Sequence, residues 1–231
     1  MINLEYIEKS KLFKTIIAYT IYTYSYLFRY IPLIILSILG IYYETTGYSL
    51  LLSLISNIIL LLVLVRLYWK DLKEELLLFI KEFYKNMDIG LIYWLIGLTI
   101  MVISNLVLIY VFKSDGAVNE ITVQSYLKEY PIIMGISICI VAPVIEEIIF
   151  RKSIKDFIKS DLIFVIFSFF LFGAVHVVGT ATTLIDYLYI IPYGTLGACF
   201  AIMYNKTNSI FTSMSIHAIH NTLLFFISLI I

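Results

Sequence analysis

Apolar positions in this chain collect into seven long runs separated by polar loops: Thr15–Tyr43, Tyr48–Val65, Ile89–Phe112, Ile132–Phe150, Leu162–Val178, Leu184–Tyr204 and Ile210–Ile231. A helix needs about 20 apolar residues to cross a hydrocarbon core. The pattern therefore predicts an all-α, polytopic membrane helix bundle of about seven spans. The first run is long and carries Arg29 and Pro32. It reads either as one tilted helix or as an interfacial helix followed by a shorter span. Between the second and third runs, Tyr68–Met87 places charges and leucines at helical spacing. That segment is expected to lie along the cytoplasmic face, with a plain solvated connector helix as the other reading. There is no internal repeat, low-complexity stretch or second domain. The division expected is a scaffold over residues 1–130 and a four-helix catalytic core over 131–231.

Composition agrees with a membrane setting. Of 231 residues, 61% are apolar and 14% charged, against about 45–50% and 25% in soluble domains. Net charge is zero, which offers nothing to nucleic acid. The position of the charges is more informative. Thirteen of the 16 basic residues fall in alternate loops: Lys9, Lys11, Lys14, Arg66, Lys70, Lys73, Lys81, Lys85, Arg151, Lys152, Lys155, Lys159 and Lys206. The intervening loops hold Lys113 and Lys128, and Arg29 stays unassigned. The positive-inside rule then puts the N-terminus in the cytoplasm and the C-terminus outside. The polar start, Met1–Lys14, has no signal-peptide pattern, so the first span is expected to stay in the membrane. Cys139 and Cys199 lie in apolar runs and read as small buried side chains.

Ionisable groups within a bilayer are costly and mark function. Here they concentrate in the last four spans. In the fourth, Glu147 and Arg151 are four residues apart with the acid first, an order that favours an ion pair along one face. Glu146 lies about 100° around the helix from that face. Lacking that partner, it suits a general base. The other reading is a pair of interfacial acids answering the basic loop. The three histidines, His176, His217 and His220, all lie in spans, and Asn221 follows His217 by one turn. A turn at Ser160 and Asp161, both good N-caps, would bring Glu146 and His176 to one height, provided the fourth helix runs on past Arg151. The site would then lie roughly 10–15 Å below the cytoplasmic surface, which favours cytoplasmic access. Such a set suits activation of water, either by the glutamate itself or through a metal held by two imidazoles. No Ser–His–acid set stands out, and H-E-x-x-H is absent.

Glu146-Glu147-x-x-x-Arg151, Phe172-x-x-x-His176 and His217-x-x-x-Asn221 resemble the three motifs of the CAAX prenyl endopeptidase family, also called Abi or CPBP, for CAAX proteases and bacteriocin-processing enzymes. The motifs span residues 146–221; the first 130 residues match as generic spans. The resemblance implies an intramembrane endopeptidase. Glu146 would activate water, His176 and His217 would complete the site, and Asn221 would stabilise the oxyanion. Glu147, Arg151 and Phe172 would be supporting residues. His220 falls outside the family pattern and is read as a further support. The family implies either a divalent metal such as zinc, for which Glu146, His176 and His217 are the donors at hand, or a metal-free glutamate route. The expected substrate is a peptide or membrane protein, including bacteriocin-like peptides. The AT-rich amino-acid usage points to a bacterial plasma membrane. A non-catalytic immunity or peptide-binding protein of the same fold is the alternative, and a proton-relay transporter a third reading. Gly194, Gly197 and Ala198 permit close helix packing, internally or in a dimer; the oligomeric state is left open.

Overall fold

The computed structural model describes residues 4–28, 30–40 and 46–230. Its helices are α1 (Leu4–Phe28), α2 (Tyr30–Ile38), α3 (Thr46–Lys81), α4 (Phe83–Tyr110), α5 (Val118–Glu129), α6 (Pro131–Phe157), α7 (Asp161–Val177), α8 (Ile190–Thr207) and α9 (Ile210–Ile230). Six stretches among the described residues are long and apolar enough to cross a membrane: Ser10–Ile38, α3, α4, α6, Asp186–Thr207 and α9. The apolar α7, with 17 residues, is the seventh and shortest. The protein is a multi-pass integral membrane protein. Arg29 and residues 41–45, which take in the end of the first expected run, lie outside the described residues.

Two expectations change. Tyr68–Met87 is no separate surface helix. Its larger part, Tyr68–Lys81, continues α3 without a break, so one helix of 36 residues, about 54 Å long, carries both the apolar run and most of the charged stretch; Phe83–Met87 begins α4. No helix-breaking residue separates the two halves, and Tyr68, Leu72, Glu75 and Phe79 keep one stripe buried. The loop before the fourth span, in turn, contains α5. Gly116, at φ 120°, starts it with a conformation that suits glycine. Pro131 ends it, because the residue before a proline avoids helical geometry; Tyr130 sits at φ −130°, ψ 59°. Pro131 then opens α6, where its missing N–H costs nothing.

The hairpin from α6 to α7 turns where the N-cap residues predict. α6 runs past Arg151 to Phe157, and the Ser160 hydroxyl accepts from Ile163 N at 3.4 Å. Next, α7 and α8 pack closely. A Cβ on Gly197 would stand 2.7 Å from Phe172 Cβ, and one on Gly194 would stand 2.8 Å from the Phe169 carbonyl oxygen. The glycines therefore serve internal packing. α8 ends at Asn208, in left-handed geometry at φ 50°, a conformation asparagine tolerates. Only Ser209 separates it from α9.

Candidate active site

α6 carries the site's carboxylates and is not a regular α-helix. Ser137–Val141 and Ile148–Lys152 are π-helical turns on either side of Ala142–Glu147. Each wide turn frees backbone carbonyls from the ordinary ladder, a feature found often at functional sites. Side chains from other helices occupy them. Asn221 Nδ2 donates to Ile138 O at 2.8 Å, Tyr19 OH to Ile149 O at 3.0 Å and Ser168 Oγ to Phe150 O at 3.3 Å. Three helices, α9, α1 and α7, are thereby pinned to α6 around the glutamates.

The two adjacent glutamates have different surroundings. Glu147 is fully buried, and its Oε1 lies 3.1 Å from Arg151 Nη1. The arginine is fully buried too. Its guanidinium lies 4.3 Å from the Phe172 ring centre and 5.3 Å from that of Phe200, and Nη2 donates to Gly197 O at 3.4 Å. Glu147 Oε1 is also 3.0 Å from His217 Nδ1. A carboxylate paired with arginine only accepts, so Nδ1 is the protonated nitrogen of that ring. This turns His217 Nε2 toward Glu146, 3.7 Å from its Oε2. The Glu146 side chain is 19% exposed and lines a cavity that the buried Glu147 does not reach.

His176 is oriented in a similar way. Its Nδ1 lies 2.8 Å from the carbonyl of Phe172, one turn earlier on α7. A carbonyl only accepts, so Nδ1 carries the proton and the Nε2 lone pair faces away from it. Its ring stacks on Tyr193 with centres 4.7 Å apart and planes at 20°. His217 stacks on Phe200 with the same spacing and planes at 21°. Sequence reasoning missed Tyr193 and Phe200. Their signal was available: two aromatics seven residues apart on the helix that carries Gly194 and Gly197 share one face. His220 also borders the cavity, and its Nδ1 accepts from Trp94 Nε1 at 3.2 Å. Asn221 keeps one N–H beyond the bond to Ile138, because a primary amide has two.

The cavity has a volume of about 560 Å³, within the range of roughly 300–1,000 Å³ usual for ligand sites. Glu146, Phe172, His176, His217, His220 and Asn221 all contribute to its wall. Among the described residues, no three His, Cys, Asp or Glu side chains are grouped so as to hold a metal ion. The donor set that the sequence offered for zinc, Glu146 with His176 and His217, is thus not assembled as a ligand triad.

The polar groups beneath the site were only partly foreseen. Glu75 on α3 is buried. Its Oε2 accepts from Ile210 N at 2.8 Å and its Oε1 from Tyr204 OH at 2.8 Å, and Lys152 Nζ lies 3.0 Å from Oε1. A carboxylate from another helix thus satisfies an orphan N–H at the start of α9. That contact sets the height of His217. Arg151 and Lys152, which the sequence placed among loop charges, are buried inside the bundle.

Residues 128–223 match the family described as type II CAAX prenyl endopeptidase Rce1-like. The chain is also similar to the UPF0177 protein YxdF of Lactococcus lactis subsp. lactis (strain IL1403), 27% identical over 146 residues covering 61% of this chain and 78% of that protein. No solved structure matches it.

Proposed function

We propose, from the match of residues 128–223 to the Rce1-like family, that this chain is an intramembrane endopeptidase in which Glu146 activates the attacking water. The observation that carries this reading is the division of labour between neighbouring carboxylates. Glu147 is sealed against Arg151 and His217, whereas Glu146 borders the cavity with His217 Nε2 at 3.7 Å.

In the proposed step, water sits in the cavity against Glu146, which takes one of its protons. The Nε2 lone pair of His176 accepts a hydrogen bond from the remaining O–H and orients the oxygen. The oxygen attacks the scissile carbonyl, and the free N–H of Asn221 donates to the resulting oxyanion. Glu146 then passes its proton to the leaving amine, which departs as the C–N bond breaks. Glu147 and Arg151 hold His217 against Glu146 and act as positioning residues. Among the described residues the cavity wall includes the carboxylates of Glu120 and Glu146 and no lysine or arginine. The site therefore suits a neutral or cationic stretch of peptide better than one ending in a free carboxylate.

The test is cleavage of a quenched-fluorescence peptide library by the protein in proteoliposomes. Glu146→Gln should lower cleavage by about 10²–10⁴-fold, the usual contribution of a general base, while thermal unfolding stays as in wild type. Cleavage should survive a chelator. A Glu146→Gln protein as active as wild type would sink the proposal.

A further inference from the structure

The cavity that holds Glu146 is closed at one end of the bundle and continues to the other. α4, α7 and α9 run away from the basic loops, while α6 and α8 run toward them. Beyond the catalytic level, the wall is formed by Asn105 and Ile109 near the end of α4, Val123 of α5, Tyr189 just before α8 and Ser228 near the end of α9. All five lie toward the lysine-poor end.

At the opposite end the floor is plugged by paired polar groups. Arg151, Glu147 and His217 form the first layer. Behind it, Thr15 Oγ1 donates to Ser153 O at 3.0 Å, and Lys152, Glu75, Tyr204 and the start of α9 are joined to one another. A substrate arriving from that end would have to break these buried contacts, each of which leaves a desolvated polar group behind.

The charge count survives the removal of Arg151 and Lys152. Eleven basic residues remain at the sealed end: Lys9, Lys11, Lys14, Arg66, Lys70, Lys73, Lys81, Lys85, Lys155, Lys159 and Lys206; Lys113 and Lys128 stand at the open end. By the positive-inside rule the sealed end is cytoplasmic. We propose that the site is entered from the extracytoplasmic face, by a peptide segment presented on that side of the membrane. This rests on the protease reading for the word substrate, and on the cavity together with the basic-residue count for the direction of access. It also reverses the direction inferred from depth. His217 is seven residues from the start of α9, about 10 Å, and thirteen from its end, about 20 Å. The reacting groups thus lie nearer the cytoplasm yet are reached from the far side. At about 3.3 Å per residue, an extended segment of about six residues spans that shaft.

Accessibility of single cysteines tests the direction without reference to activity. In a Cys139→Ser, Cys199→Ala background, Val123→Cys and Ser228→Cys would each be exposed to a membrane-impermeant cationic methanethiosulfonate, with Lys206→Cys as the marker of the sealed end. The expected result is labelling of both cavity positions in intact cells and of Lys206→Cys in inverted membranes alone. Labelling of the cavity positions from the inverted side alone, or from neither side, overturns the proposal. In a second arm, orientation-sorted proteoliposomes receive the quenched peptide outside. Cleavage is expected only with the lysine-poor face outward. Cleavage abolished by Glu146→Gln but seen only with the basic face outward would overturn the access direction and leave the protease reading intact. Labelling as expected, with no cleavage in either orientation, would leave the direction standing and remove the protease.

Discussion

The sealed basic end of the bundle and the cavity beside it use the same side-chain chemistry to opposite effect. At the basic end, Glu75, Glu147, Arg151 and Lys152 are buried and matched: carboxylate with guanidinium, ammonium, phenol or backbone N–H. On the cavity side of the same helix, Glu146 faces open space with one imidazole at 3.7 Å. A charged group in a membrane protein is thus structural when its partners surround it and available for chemistry when one side is left to water. Residue type does not separate the cases, since Glu146 and Glu147 are neighbours in the chain. What separates them is which side of α6 each occupies and which helices press against that side.

Breaking the matched end should have the largest effect on stability. Arg151→Ala strands Glu147 in a dry interior and should cost about 3–5 kcal/mol, read as a lower unfolding temperature in detergent, with activity lost as His217 comes free. A double Glu147→Gln, Arg151→Met protein should recover much of that stability, because a buried ion pair is often replaceable by apolar groups, but should not recover cleavage. Full activity in the double variant would show that His217 needs no carboxylate behind it. Glu75→Gln should come next. It weakens the bonds to Tyr204, Lys152 and Ile210 N, at about 1.5–3 kcal/mol for hydrogen bonds to a charged group, and should raise hydrogen exchange at the start of α9. The smallest change expected is Tyr19→Phe. It removes one donor to the π-helical turn, at Ile149 O, for about 0.5–1.5 kcal/mol. Its sharper readout is selective loosening of residues 148–152, with the α1 packing otherwise kept. Glu146→Gln completes the contrast, with catalysis lost and stability unchanged.

Much of the site was legible in the sequence because its spacing is helical. The four-residue separation of Glu147 and Arg151 does place them in contact. Ser160 does cap the helix that returns His176 to the level of α6. The π-helical turns were not legible, because a five-residue stretch such as Ile148–Lys152 carries no residue that demands one. Their stability comes from Tyr19, Ser168 and Asn221, which lie far away in sequence. Glu75 was hidden for a related reason. In the chain it is one acid in a charged stripe, and only the docking of α3 against the start of α9 buries it.

By itself the sequence determined that the chain is a membrane-embedded helical bundle, with its cationic loops on one side and its ionisable residues concentrated in the last four spans. Those properties follow from composition and periodicity, which are local and additive. The tertiary structure alone decided which of two adjacent glutamates faces open space, which nitrogen of each histidine carries its proton, and toward which end of the bundle the cavity leads. These depend on helices distant in sequence meeting at one depth, and on whether each buried charge finds its partner there.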